Sequence, residues 1–292
     1  MNQQTILITG ASGQLGQSVL RHLRTLTDPQ HIVALVRDPS KGVPLEAQGF
    51  RVRVGNYDDL DSLNAAMKGV DRVLLISGNE LGKTVNQHAN VLKAAASQGV
   101  KWVGYTSRAL RRADDSENGV MDHHRQTEVL IRDSGLDYGI LRNALYLDSL
   151  KYYIAGREKD PDLFLPADVG RVAFALRDEL GEAIAQLLAQ DNLPSNHTFT
   201  LTASTAWSFY DVALALSDLE GREVHYHPVT KPEYETRMRG FGIAEAVIQR
   251  TYGFYADIRD GQLDEIRPDL TTLLGRAPIG LAEGLKRVLA TE

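Results

Sequence analysis

Thr5-Ile6-Leu7-Ile8-Thr9-Gly10-Ala11-Ser12-Gly13-Gln14-Leu15-Gly16 reads as a short apolar strand that passes through a glycine-rich turn into a helix opening near Gln14. Gly10 lets the chain turn sharply out of the strand, and Gly13 lets backbone N–H groups come close to a ligand. Gly16 lets the helix lie against the sheet. A helix N-terminus presented this way is a cradle for the pyrophosphate of a dinucleotide. Ser12, Gln14 and Leu15 complete the loop that would line it.

The remaining strand-like runs lie at Ile32 to Val36, Arg51 to Val54, Arg72 to Ile76, Trp102 to Thr106 and Tyr138 to Leu141, with helical patterns between them. Such connections are too long for hairpins, so the strands pair in parallel under helices on both faces. Beyond Leu145 the alternation loosens through Arg157-Glu158-Lys159-Asp160. It resumes as a helix over Glu179 to Ala189, a strand over His197 to Thr202, a helix over Ser208 to Glu220 and a short strand over Val224 to Val229. Helical pattern follows, broken at Gly240, Gly242 and Gly253. The expected fold is α/β: a Rossmann-type doubly wound parallel sheet with a smaller α/β C-terminal lobe. The domains expected are a dinucleotide-binding domain over 1–145 and a substrate-binding lobe over 146–292, part of which returns to the first sheet.

Composition narrows the chemistry. The chain has 292 residues, 43% of them hydrophobic, and no cysteine, which removes disulfides, thiolate metal sites and a cysteine nucleophile. Redox chemistry would therefore belong to a bound cofactor. A net charge of −6 without a basic run argues against nucleic acid. No apolar run approaches the ~20 residues of a membrane span, and Met1-Asn2-Gln3-Gln4 lacks the character of a signal sequence. The expected setting is the cytoplasm, without membrane contact.

In a parallel sheet the informative residues follow the strands. Arg37 follows the second and supplies a planar donor fork suited to the 2′-phosphate of NADP, while Asp38 beside it keeps NAD open. After the third, Asn56 offers both a donor and an acceptor to an adenine, and Asp58 or Asp59 caps the next helix. Ser77 and Gly78 end the fourth strand where a ribose and pyrophosphate would pass. Tyr105, Thr106 and Ser107 bring hydroxyls to the end of the fifth. A conventional short-chain reductase would carry a Tyr and a Lys four residues apart on the following helix. That pair is missing, for the helix reads Met121-Asp122-His123-His124-Arg125-Gln126-Thr127-Glu128.

Taken in order, TGASGQLG at 9–16, Arg37, GNYDD at 55–59, LLISG at 74–78, QHANVLKAA at 87–95, YTS at 105–107, HHRQTE at 123–128 and LRNALY at 141–146 resemble the NmrA-like atypical short-chain dehydrogenase/reductase family. The likeness is greatest to its type 2 NAD(P)H:quinone oxidoreductases and triphenylmethane reductases, and it covers nearly the whole chain. The resemblance implies NADP(H) held by Gly10, Gly13, Gln14 to Gly16 and Arg37. It places Ser77 and Gly78 at the ribose, and Tyr105 to Ser107 with Leu141 to Asn143 beside the nicotinamide. His124 stands where conventional relatives keep their lysine. Two departures stand out: Asn56 replaces a usual aspartate, and Lys151 to Arg177 does not follow the family's glycine-rich pattern.

The function expected is NADPH-dependent reduction of a quinone or related flat electrophile by direct hydride transfer, since a strong electrophile needs little proton chemistry. His124 is the residue expected to assist as a donor or to hold the ribose, with a polar contact at the helix surface as its competing reading, and Tyr146, with Tyr152 or Tyr153, to stack on the acceptor. The competing reading is that these tyrosines pack the two lobes together. The alternative function is a non-catalytic redox sensor that binds NADP(H) without turning it over. Helical spacing turns His88 toward the sheet. His225 and His227 share one strand face without a neighbouring carboxylate cluster, so no metal is expected. Arg108, Arg111 and Arg112 read as a solvated loop offset by Asp114, Asp115 and Glu117. The assembly considered is a homodimer.

Overall fold

A computed structural model describes residues 4–78, 80, 82–112, 116, 118–154 and 161–290, with the backbone alone at 119 and 120. In chain order it runs β1 (Ile6–Ile8), α1 (Gln14–Leu23), β2 (Ile32–Val36), α2 (Val43–Glu46), β3 (Arg51–Val54), α3 (Leu60–Ala66), β4 (Arg72–Leu75), α4 (Thr84–Ser97), β5 (Trp102–Arg108), α5 (Gly119–Asp133) and β6 (Asp137–Asn143). Then follow α6 (Leu150–Tyr153), β7 (Leu163–Leu165), β8 (Arg171–Val172), α7 (Arg177–Leu188), β9 (His197–Leu201), β10 (Trp207–Ser208) and α8 (Phe209–Glu220). The chain closes with β11 (Tyr226–Pro228), α9 (Lys231–Gly240), α10 (Glu245–Arg259), α11 (Asp269–Leu274) and α12 (Leu281–Leu289). Two compact units result. The first comprises Met1–Arg108, Asp122–Asn143 and Arg177–Thr200, and the second Ala109–Met121, Ala144–Leu176 and Leu201–Glu292.

The first unit is built on a sheet of order β3-β2-β1-β4-β5-β6-β9, in which β1 to β6 pair in parallel. Because β2 and β4 flank β1, the order reverses between β1 and β4, which is the switch point of a doubly wound sheet. The central strands are apolar at successive positions because helices cover both faces: Leu7, Ile8, Val33, Ala34, Val73, Leu74 and Val103 are all fully buried. The edge strand β3 reads Arg-Val-Arg-Val and is partly exposed.

Residues 177–200 return to this unit from far along the sequence, and specific contacts fix them there. A Cβ on Gly181 would lie 2.2 Å from Ser18 Oγ, so α7 presses directly on α1. Ser18 Oγ donates to Asp178 Oδ1 at 2.9 Å, and His22 and Arg21 meet the same carboxylate. The buried Arg72 guanidinium donates to the carbonyls of Leu188, Gln190 and Asp191 at 2.7, 2.6 and 2.9 Å, closing the orphan C-terminus of α7. Trp102 Nε1 donates to Pro194 O at 3.1 Å, while its ring fills the space left by Gly104 and Gly139.

In the second unit, Tyr255 is buried among Tyr153, Phe209 and Tyr234, and its hydroxyl donates to Tyr153 O at 2.7 Å. Helix α8 opens with a capping box between Ser208 and Asp211. Gly253 does not break the helical pattern. It lies inside α10, where a Cβ would come 3.1 Å from the Asn118 side chain, so close packing explains that glycine. Asp162 accepts the His225 backbone N–H at 2.9 Å and meets His227 Nε2 at 3.1 Å, and Glu223 lies 3.6 Å from His225 Nε2. Arg111 pairs with Asp264 at 2.7 Å; Asp114, Asp115 and Glu117, expected to offset it, lie outside the described residues, as does Arg157 to Asp160. Among the described residues no helix is long and apolar enough to cross a membrane.

Candidate functional site

The carboxyl edge of the first unit's sheet gathers the residues that the strand ends point to. The chain leaves β1 at Gly10 with φ +57°, and Gly13 N donates to Gly10 O at 2.9 Å. A Cβ on Gly16 would lie 2.3 Å from that same carbonyl oxygen, so no other residue lets α1 approach so closely. Gly13 is the N-cap and brings no capping side chain, and the first turn of α1 carries no acidic residue. The opening N–H groups of the helix thus lack both a side-chain cap and a neighbouring carboxylate. Ser12, Gly13 and Gln14 are exposed there, with Leu15 turned into the core.

Arg37 stands exposed after β2, and its Nη1 donates to Glu80 Oε1 at 2.7 Å. Asp38 accepts the Ser40 N–H at 2.9 Å, and its bonds to Ser40 hold its carboxyl below the usual range. Its carboxylate therefore serves the local turn. Asn56 likewise uses its amide oxygen on the Asp58 N–H at 3.1 Å, and Asp59 caps α3. Ser77 donates its N–H to Thr106 Oγ1 at 2.9 Å, and Gly78 donates its own to His88 Nε2 at 3.2 Å.

His88 is fully buried and lies 2.9 Å from Thr127 Oγ1 through Nδ1. Thr127 spends its own proton on His123 O, and Nε2 accepts from Gly78, so His88 is neutral with its proton on Nδ1. Burial, with His123 nearby, pushes its imidazolium down to about 3. Tyr105 is also fully buried, and its hydroxyl lies 2.8 Å from His124 Nδ1. Burial pushes the phenol up and the His124 imidazolium well down, where His123 and Arg108 add to the effect. Both groups are therefore neutral, and a single hydrogen bond joins the phenol oxygen to Nδ1.

Ser107 Oγ donates to Glu128 Oε1 at 2.7 Å. Arg142 grips the same carboxylate with two bonds of 2.9 and 2.7 Å, and Arg132 adds a third at 2.8 Å. Burial alone would raise the Glu128 carboxyl; the bonds from Arg142 and Ser107 outweigh it and hold the group low. Asn143 ends β6 fully buried, with neither its amide nitrogen nor its amide oxygen partnered. An amide left in that state costs about 1–3 kcal/mol unless a ligand or water meets it.

The first unit thus holds Gly10 to Gly16, Arg37, Asn56, Ser77, Gly78, Tyr105 to Ser107, His124 and Asn143 at or beside its strand ends. Tyr146 belongs to the second unit, where it bridges Ala175. Tyr152 is exposed under the Lys151 ammonium, and Tyr153 packs edge-on against Phe254 and Tyr255. Local sequence gives no sign of Glu80 at Arg37 or of Glu128 beneath Ser107, because both partners arrive from other elements.

The profile of an NAD(P)H-binding family matches residues 10–179. Quinone oxidoreductase 2 of Escherichia coli K12 is 32% identical over 286 residues, covering 97% of this chain and 98% of its own. The NAD(P)H azoreductase of Xenophilus azovorans is 26% identical over 265 residues, 89% and 91% of the two chains. Among solved structures, the E. coli NADPH-dependent quinone oxidoreductase complexed with NADPH superposes with a TM-score of 0.92 at 31% identity, covering 98% of this chain and 100% of that one. The Citrobacter sp. triphenylmethane reductase complexed with NADP(H) gives 0.90 at 34% identity, covering 97% and 100%.

Proposed function

This chain belongs to the NAD(P)H-binding, NmrA-like family, and from that premise we propose that it is an NADPH-dependent reductase of quinones or similarly flat, dye-like electrophiles. The observation that carries the reading is one sheet edge that combines a helix N-terminus free of side-chain caps, the contact of Gly16 on Gly10 that only glycine permits, and Arg37 after β2. These residues fit a dinucleotide diphosphate at α1 and a 2′-phosphate at Arg37. Asp38 is committed to Ser40, which supports NADPH over NADH. The buried, unpartnered amide of Asn143 suits the carboxamide of a nicotinamide, donor to acceptor and acceptor to donor.

Bound NADPH supplies a hydride from C4 of its nicotinamide. Acceptors of this class need no general acid in the hydride step, which fits a helix lacking the Tyr/Lys pair. Burial keeps His124 neutral, so it serves as a hydrogen-bonding group and not as an acid, and water supplies the proton to a reduced oxygen. Tyr105 holds the ring in place through Nδ1. Ser107 spends its proton on Glu128 and so faces a ligand as an acceptor.

Mixing the purified protein with NADPH or NADH and a panel of quinones and cationic dyes, and following nicotinamide absorbance, tests the reading. Turnover with NADPH is expected; tight NADPH binding with no acceptor reduced above background would leave a binding protein and end the reductase reading. Arg37→Ala should weaken NADPH far more than NADH, and equal losses would remove the cofactor preference.

A further inference from the structure

The guanidinium assigned above to the 2′-phosphate already has an anion on it, and the fold holds that anion in place. Glu80 sits between β4 and α4. Its carbonyl accepts from Lys83 N–H, from Thr84 N–H and, at 2.8 Å, from Thr84 Oγ1, which ties its backbone to the first turn of α4. Its Oε2 accepts from Nε2 of the buried Gln87 at 3.3 Å, while its Oε1 takes Arg37 at 2.7 Å. Gln87 Nε2 also reaches Asp58 Oδ2 at 3.2 Å, so one buried amide anchors both carboxylates.

Strands β2 and β4 pair with β1 from opposite sides. An ion pair from the end of β2 to the loop after β4 therefore crosses the end of β1, where the glycine loop leaves the sheet. A phosphate dianion and a carboxylate then compete for one guanidinium. Lys83 Nζ, 3.9 Å from Glu80 Oε2, gives the displaced carboxylate a second cation. A ribose 2′-hydroxyl brings no charge and leaves the pair as it stands. We propose that Glu80 is a specificity-determining residue of the dinucleotide site: as the resident counter-ion of Arg37 it opposes the 2′-phosphate and narrows the preference for NADPH over NADH. This rests on the assignment of Arg37 to that phosphate.

The test is a calorimetric titration of the full chain and of Glu80→Gln, Arg37→Ala and the double variant with NADPH, NADH, 2′,5′-ADP and 5′-AMP. Glu80→Gln should tighten NADPH and 2′,5′-ADP roughly fivefold, the scale of an exposed ion pair, and move NADH and 5′-AMP less than about twofold. The gain should vanish when Arg37 is alanine. If Arg37→Ala weakens 2′,5′-ADP but Glu80→Gln leaves it unchanged, the Arg37 assignment stands and the role of Glu80 is refuted. If Glu80→Gln tightens 2′,5′-ADP equally with Arg37 absent, Glu80 acts by general repulsion and the competition is refuted. If Arg37→Ala leaves 2′,5′-ADP unaffected, the Arg37 assignment fails and takes the proposal with it.

Discussion

Replacing Gly16 with alanine would test the cradle at its tightest point. The added Cβ would lie 2.3 Å from Gly10 O, 2.9 Å from Ala11 Cα and 3.0 Å from Gly10 C, all backbone atoms without a rotamer to yield. Relief requires loop and helix to part by about 1 Å, a shift of the kind that overpacking imposes. Helix α1 cannot recede easily, because α7 presses on its far side at Gly181 and Asp178 holds Ser18. The loop must move instead, and it loses the 2.9 Å bond from Gly13 N to Gly10 O. Overpacking of about 1–3 kcal/mol plus about 1 kcal/mol for the bond lowers the melting temperature by about 5 °C or more. NADPH affinity should fall at least tenfold, roughly 1.4 kcal/mol, since the diphosphate contacts move with the loop. Gly13→Ala is the internal comparison: its Cβ would meet the same oxygen at 3.2 Å, needs a few tenths of an ångström, and should cost under about 1 kcal/mol. Thermal melts and NADPH titrations of both variants check this. A Gly16→Ala protein with unchanged melting and unchanged affinity, or one less affected than Gly13→Ala, would refute the close-approach reasoning.

Buried His88 makes the fold sensitive to acid. Its imidazolium lies at about 3 in the folded chain and near 6.5 when unfolded, so its stabilising contribution is whole above pH 6.5. It is lost as pH falls through that window, by roughly 2 kcal/mol at pH 5. The gap between urea midpoints at pH 7 and pH 5 should shrink in His88→Gln, and an equal gap would count against the assignment. Glu128→Gln removes the charge that Arg142 and Arg132 share and should cost about 2–3 kcal/mol, less than a fully buried pair because both arginines are partly exposed; an unchanged thermal melt would contradict this. Gly139→Ala puts a Cβ 2.4 Å from Trp102 Cζ2 while Pro194 holds the indole N–H. It should lower the melting temperature and shift tryptophan fluorescence with NADPH affinity unchanged, and a loss of affinity alone would point to a different role.

What could be read from the sequence was what is local. The strand from Ile32 to Val36, the one from Arg51 to Val54 and the opening of α1 at Gln14 follow from apolar runs and glycine placement, and they stand where expected. Arg37 was legible as a strand-end residue because parallel sheets place their ligands there, and Asn143 only through the family resemblance of the LRNALY stretch. Their surroundings were not. Tyr105 and His124 meet through the packing of a helix on a strand 19 positions away, and Glu80 reaches Arg37 over 43. No local pattern encodes either meeting. The three hydroxyl-bearing residues Tyr105, Thr106 and Ser107 read alike as groups available to a ligand. Each has a different commitment in the structure, to His124, Ser77 and Glu128. Gly253 misled for the converse reason: a glycine serving tertiary packing looks, in sequence, like one that ends a helix.

The return of residues 177–200 to the first sheet has a consequence for how the chain can be made and cut. When the first 143 residues have left the ribosome, the face of α1 at Ser18, the Arg72 guanidinium and the Trp102 N–H still await partners that lie between Asp178 and Pro194. Bridging the intervening excursion costs little loop entropy, but the unit cannot complete its hydrogen bonding before that stretch is synthesised. A fragment ending near residue 145 lacks the partners of Ser18, Arg72 and Trp102 on this flank of the sheet. Hydrogen exchange in α1 should track that in α7, as two halves of one cooperative element joined across more than 150 residues of sequence.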